Sequence, residues 1–313
     1  MNIIDVTIRE STYLTNGMDE KKALLFLSHY VEWMQFEEIK GIEICFLDNM
    51  KKGPLLYDVQ FILASKRIVG DRFGLIAVVH PDLVDLSQWN PDIIRLFHTV
   101  RLMINNSIDQ KAIDIIDYLH DLGVKVSLNV IYISRKDEPF VERCISVAEE
   151  HKVEYFCLAD SCGGCSPEKV NHWIGFIQNR SNSLTLNFHF HDHFHLALAN
   201  AITSLRCTDM VDGSILGYGK GGGNLALEDI ILAYRKMHST PILKEQILSY
   251  YHLVQFLVCS IFEESWVQSY EEFKNLLIAL YDLNLKEINQ LELEANGNPD
   301  SFIELALNKY GQS

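Results

Sequence analysis

The chain has 313 residues, 48% of them hydrophobic, and a net charge of −15 with histidines neutral. Its length allows one α/β barrel of about 250 residues plus a small appendage, and its acidity, with no Lys/Arg block, argues against a nucleic-acid or anionic-membrane surface. No apolar run reaches the ~20 residues that a bilayer span needs, so a soluble chain is expected.

In chain order, short β-branched or apolar runs alternate with amphipathic stretches, the pattern of parallel strands joined by helical crossovers. Residues 3–8 read as the first strand and carry no basic region of a secretory signal, which predicts a cytoplasmic location. A helix is expected over 19–38, a strand over 41–45, a helix over 55–67 and a strand over 73–79, after which the pattern is irregular and holds no full helix. Strands over 100–104, 125–131, 155–159, 184–190 and 210–215 complete eight, with helices over 110–122, 139–151, 167–178, 196–205 and 225–237. Eight β/α units predict an α/β fold, a (β/α)8 TIM barrel over residues 1–238, rather than an open doubly wound sheet. Residues 239–313 are helical without strand candidates and predict a small C-terminal helical extension, serving as a lid or an oligomer contact; a homo-oligomer is expected.

The segment His189-Phe190-His191-Asp192-His193-Phe194-His195 holds four of the twelve histidines. Successive strand side chains alternate in direction, so His189 and His191 project the same way and can share one divalent ion. A solvated histidine run would have polar neighbours, whereas a hydrophobic strand and an apolar helix opening flank this one. The seven cysteines are scattered, as in a reduced protein. Cys162-Gly163-Gly164-Cys165 has no second pair to complete a zinc site and reads as an inert pair of loop thiols.

Three motifs lie near the ends of strands 1, 7 and 8: Asp5-x-Thr7-Ile8-Arg9-Glu10, His189-x-His191 with Ala199-Asn200, and Gly217-x-Gly219-x-Gly221-x-Gly223-Asn224 with Glu228. In a closed barrel these strands meet at the C-terminal rim, where such enzymes keep their active sites. Together the motifs resemble the signatures of the DRE-TIM metallolyases, and most of all the branch of the 4-hydroxy-2-oxovalerate aldolases. The resemblance implies a divalent metal ion (Mn2+, Mg2+, Co2+ or Zn2+) held by Glu10, His189 and His191, and carbon–carbon bond chemistry through an enolate. Glu10 stands where that family usually has aspartate, which keeps the charge. Tyr13 stands where the aldolases have a histidine, and the catalytic cysteine of the CoA-ester lyases is missing from the glycine loop. Arg101 and Ser161 match family positions and are expected at the substrate.

These readings predict a lyase, a pyruvate aldolase cleaving or forming a 4-hydroxy-2-oxo acid, with pyruvate and an aldehyde as its small-molecule partners. Arg9 would add fixed positive charge at the enolate oxygen. Tyr13, His193 and His195 are the candidate acid/base groups; Tyr13 has the matching position but needs its pKa lowered by the metal or by Arg9. His195 also suits a cap on the following helix. The glycines, Gly221 among them, would let backbone approach the substrate carboxylate, while Asn224 would hold the metal or the loop; Lys220 could attract an anionic substrate. A Claisen-type synthase joining an acyl-CoA to a 2-oxo acid is the alternative within enzymes. A catalytically silent barrel serving as a scaffold is the alternative outside them.

Overall fold

In the computed structural model, which describes residues 1–48, 55–208 and 210–311, eight strands form a closed parallel barrel in sequence order. They are β1 (Asn2–Asp5), β2 (Ile39–Phe46), β3 (Gly74–Val79), β4 (Thr99–Ile104), β5 (Lys125–Ile131), β6 (Tyr155–Asp160), β7 (Thr185–Phe190) and β8 (Met210–Gly213). Closure is made by β8 on β1, with Asn2 opposite Met210 and Asp5 opposite Gly213. The helices around it are α1 (Thr7–Ser11), α2 (Glu20–Trp33), α3 (Val59–Val69), α4 (Pro91–Ile94), α5 (Gln110–Asp121), α6 (Glu138–Glu150), α7 (Pro167–Gln178), α8 (Ala197–Ser204) and α9 (Leu227–Met237). Four more follow: α10 (Lys244–Phe256), α11 (Trp266–Tyr281), α12 (Leu285–Ala295) and α13 (Pro299–Tyr310).

The outer helices start where short acceptors precede them. Asp19, Asp58, Asp109, Asp137 and Ser166 each accept the backbone N–H three residues on, satisfying a donor that the helix leaves unpaired. After β3 the crossover shrinks to two 3-10 turns and the four-residue α4, which agrees with the irregular pattern there.

The helix expected over 19–38 ends at Trp33, where Met34 turns extended, and three further elements differ, each for a local reason. The first strand stops at Asp5 rather than running to residue 8, because Asp5 Oδ1 accepts Thr7 N–H at 2.8 Å and turns the chain into α1. Strand eight stops at Gly213 rather than 215; Ile215 N–H is taken by Thr7 Oγ1 at 2.9 Å, and Leu216 enters the left-handed region at φ 52°. The helix expected over 55–67 begins at Val59, where Asp58 supplies the cap.

The barrel interior is layered. Ile4, Ile76 and Met210 form an apolar plug near the strand starts. Nearer the opposite ends, Glu43, Arg101, Asn129, Asn187, His189 and Asp212 are buried polar groups that bond to one another across the barrel. The main core lies between strands and helices and continues into the C-terminal helices, where Tyr250, Tyr251, Val254 and Phe273 are buried. Two polar clamps fix those helices. Arg235 pairs with Glu38 at 2.6 and 2.9 Å and with Gln246 at 3.0 Å. Glu228, fully buried, accepts Leu216 N–H at 3.0 Å and the Tyr250 hydroxyl at 2.7 Å. Among the described residues no helix is long and apolar enough to cross a membrane.

Burial raises the Glu228 carboxyl from 4.5 to about 8, with Asp229 adding to the effect. A folded pKa above the unfolded one means that the folded chain holds a proton that the unfolded chain releases, so this contribution to stability is lost as pH rises from about 4.5 to about 8. Glu228→Gln is expected to flatten that part of the pH dependence of the melting temperature, measured by calorimetry against the parent chain. Equal slopes in the two proteins would contradict it.

Candidate metal centre

Glu10 leaves α1, while His189 is on β7 and His191 just beyond it. Their candidate ligand atoms lie within 4.8 Å of one another, and all three residues are buried. The alternation read from the sequence holds: the two imidazoles lie on one side with ring centroids 5.1 Å apart. The arginine and glutamate of the first motif extend from a helical turn, where a strand was expected, so Arg9 and Glu10 both reach the barrel mouth.

Each donor is tuned by a neighbour. His189 Nδ1 lies 3.1 Å from Asp212 Oδ2. A carboxylate only accepts, so Nδ1 carries a hydrogen; in the neutral ring Nε2 then presents its lone pair, 3.6 Å from Glu10 Oε1. Two acceptors facing each other need a cation between them, and ligands about 2.1 Å from one ion stand roughly 3.4 Å apart in tetrahedral geometry. Burial lowers the His191 imidazole to about 4, with His189 adding to the effect, so it is uncharged at neutral pH. Its buried Nδ1 has no hydrogen-bond partner. Burial alone would raise the Glu10 carboxyl, but Arg9, His189 and His191 together hold it below the ordinary range. One carboxylate and two imidazoles are a donor set that suits a divalent ion.

Around them runs a ring of charge. Arg9 bonds Glu10 and, through Nε, Glu43; Glu43 Oε2 accepts Arg101 Nη1 at 2.9 Å. Arg101 Nη2 donates to Asp212 Oδ2 at 2.6 Å, and Asp212 returns the circuit to His189. Asn187 donates to Asp212 at 2.7 Å. With its amide oxygen toward Arg101, Asn129 accepts from Nε at 2.9 Å. Burial would raise Asp212, yet Arg101 and His189 keep it at about 2. Arg101 is only 2% exposed and its guanidinium is occupied by these partners, so it braces the donors from below.

The glycine loop closes over the donors. A side chain at Gly219 would meet Asn224 Nδ2 at 2.2 Å and Glu10 Oε2 at 3.0 Å, so only glycine lets Asn224 lie beside Glu10. Asn224 Nδ2 donates to Tyr218 O at 3.1 Å, and its buried Oδ1 has no hydrogen-bond partner. Gly221, at φ +68°, gives its Cα face to the His193 ring, 2.5 Å from where a Cβ would sit; the expected close approach to a substrate is here an approach to an imidazole. His193 is exposed, with its ring 5.8 Å from that of His191. Lys220 Nζ lies 5.8 Å from the centre of the Tyr13 ring. Ser161 Oγ accepts Tyr132 N–H at 3.1 Å, joining the ends of β6 and β5.

One expectation changes. His195 does not cap α8; it takes a left-handed conformation with an exposed side chain, and Asp192 Oδ1 accepts Ala197 N–H at 2.8 Å instead. Burial raises the Tyr13 phenol above its ordinary value, Arg9 opposes this, and Glu10 and Glu43 add to it; a metal ion beside Glu10 would pull the other way. The Cys162–Cys165 loop is folded by Asp160, which accepts Gly164 and Cys165 N–H at 3.0 and 2.8 Å. Burial and Asp160 push the Cys165 thiol up to about 12, in keeping with an inert thiol.

Residues 96–254 match the model of the HMGL-like family. The chain belongs to that family. A relative from Archaeoglobus fulgidus named "Putative (R)-citramalate synthase" is 32% identical over 151 residues, 47% of this chain and 31% of the relative, so less than a third of the relative's length is matched. The N-terminal domain of a putative aldolase from Bacteroides vulgatus has the same fold at TM-score 0.70 and 20% identity, covering 98% of this chain and 97% of that one. The HMG-CoA lyase from Brucella melitensis superposes at TM-score 0.63 and 14% identity, over 76% of this chain and 90% of that one.

Sequence reasoning passed over Glu43, Asp212 and Asn187. The available signal was a charged residue inside an apolar strand, as in Gly41-Ile42-Glu43-Ile44-Cys45 and Met210-Val211-Asp212-Gly213. Breaking a buried ion pair strands its partner, at a cost of about 3–5 kcal/mol. Glu43→Gln is expected to lose stability of that order in urea titration, because one carboxylate serves both Arg9 and Arg101. A loss below ~1 kcal/mol would show that the arginines do not depend on it.

Proposed function

We propose that this protein is a divalent-metal-dependent enzyme of carbon–carbon bond formation that joins an acyl-CoA to a 2-oxo acid in a Claisen-type condensation. The observation that carries the reading is the buried triad of Glu10, His189 and His191, whose candidate ligand atoms all lie within 4.8 Å of one another. The choice of an acyl-CoA synthase over the expected pyruvate aldolase rests on the relatives named as citramalate synthases.

A divalent ion held by these residues would supply Lewis-acid polarisation of the keto oxygen of a bound 2-oxo acid. Arg9, whose guanidinium is kept protonated by Glu10 and Glu43 against the opposing effect of burial, adds fixed positive charge at the same mouth as that oxygen gains charge. Asp212 fixes the His189 tautomer, and Asn224 with the glycine loop closes the donors from above. In the balanced reaction, an acyl-CoA, a 2-oxo acid and water give a 2-hydroxy diacid and the CoA thiol. Ser161 and Tyr13 are assigned to substrate binding, Tyr13 as a neutral hydroxyl.

The deciding assay supplies Mn2+, pyruvate and acetyl-CoA and follows free thiol; pyruvate-dependent thiol release is expected. Pyruvate C3 deuterium exchange without CoA, and no thiol release with it, would restore the aldolase reading. A protein that binds no Mn2+ and turns over neither substrate would leave a scaffold. His191→Ala is expected to abolish Mn2+ binding in isothermal calorimetry while leaving the circular dichroism spectrum unchanged, because the residue lies past the end of β7. Unaltered Mn2+ affinity in that variant would remove His191 from the donor set.

A further inference from the structure

A second arranged histidine stands on the same rim, outside the metal triad. Asp48 follows β2 and His80 follows β3, both at the C-terminal ends of their strands. The Asp48 side chain is fully buried and gives both oxygens to one residue: Oδ1 accepts His80 N–H at 2.7 Å, and Oδ2 lies 2.7 Å from His80 Nδ1. The segment holding Asp48 is itself fixed, with Leu47 N–H on Val78 O at 2.8 Å and Trp89 Nε1 on Leu47 O at 3.1 Å.

The His80 ring is pinned a second time by stacking on Phe46, centroids 5.9 Å apart and planes 17° apart. The Arg9 guanidinium sits 5.8 Å from the centre of the same Phe46 ring, so one phenyl links the metal triad's arginine to this imidazole. A turn cap needs only the backbone N–H of His80; the second oxygen on Nδ1 and the stacked phenyl fix the imidazole itself. With Nδ1 the donor, Nε2 is left as a lone pair on a side chain that is 36% exposed. His80 lines a cavity of about 400 Å³ at the ends of β3, β4 and β5, together with Met103, Asn105, Ser107, Ile131 and Tyr132. A histidine oriented by a buried carboxylate and lining a cavity is the arrangement of a general base.

We propose that His80 is a catalytic base positioned by Asp48, taking the proton from the carbon next to the thioester carbonyl of the acyl donor seated in this cavity. The assignment rests on the condensation reading above. Nε2 takes the proton, the C–H electron pair becomes the new bond to the keto carbon of the 2-oxo acid, the carbonyl π pair moves to the keto oxygen, which takes a proton from water, and His80 returns its proton to the hydroxide so formed. Water then hydrolyses the thioester and releases the CoA thiol.

The test uses the full chain with Mn2+, pyruvate and acetyl-CoA, and the variants His80→Ala, His80→Gln and Asp48→Asn. Loss of a general base costs about 10²–10⁴ in rate. His80→Ala and His80→Gln are expected to lose that much kcat, with Mn2+ affinity and pyruvate KM within about threefold of the parent; added imidazole should restore turnover to His80→Ala and not to His80→Gln. Asp48→Asn should lower kcat with the same KM, and 15N NMR should show the His80 proton on Nδ1 in the parent and moved toward Nε2 in the variant. Retained kcat in both His80 variants, absence of imidazole rescue, loss of Mn2+ binding, or a parent His80 protonated on Nε2 would each make the pair a structural clamp and overturn the assignment. A parent protein that binds Mn2+ but releases no CoA thiol overturns the condensation reading, and the role of His80 in that reaction falls with it.

Discussion

Glu43 holds two guanidinium groups inside a protein interior, and the mouth of the barrel depends on that carboxylate. Arg9 and Arg101 are both nearly inaccessible to water, and neither could stay there without opposite charge in contact. Glu43 bonds both, Asp212 takes the other side of Arg101, and Glu10 takes the other side of Arg9. The result is a closed circuit on β2, β4, β7, β8 and α1 whose geometry leaves little freedom to His189 or Glu10. Preorganisation follows from this: the donors are aimed before any ion arrives, and their orientation carries no further ordering cost.

Barrel closure and site assembly are one event in this chain. Asp5 and Thr7 turn the end of β1 into α1 and tie it to the loop after β8, which brings Glu10 beside His189. The same loop is held from outside by Glu228, which also bonds Tyr250 on α10. The C-terminal helices therefore reach the site mechanically, through Leu216 and the glycine loop, although the donors themselves all come from the barrel.

Chemistry at this rim divides between two kinds of histidine environment. His189 and His191 are buried, the first oriented by Asp212 and the second kept uncharged by desolvation. His80 is half-open at the edge of a cavity, and its carboxylate partner is buried. Environment, rather than residue type, separates the roles of ion holding and proton handling.

The strand and helix alternation, the eightfold count and the pairing of His189 with His191 were legible in the sequence, because each depends on short-range periodicity or on side-chain direction along one strand. The element ends at Asp5 and Gly213 were not. There the outcome turned on Thr7 bonding Ile215, residues 208 apart in sequence. The roles of Glu43, Asp212 and Asp48 were hidden for the same reason: a charge in an apolar strand signals burial, but its partner sits on another strand and is chosen only when the barrel closes. The sequence by itself thus determined the barrel and two of the donors, through local patterning. The tertiary structure decided which charges neutralise which, because buried electrostatics depends on contacts across the barrel that no linear spacing encodes.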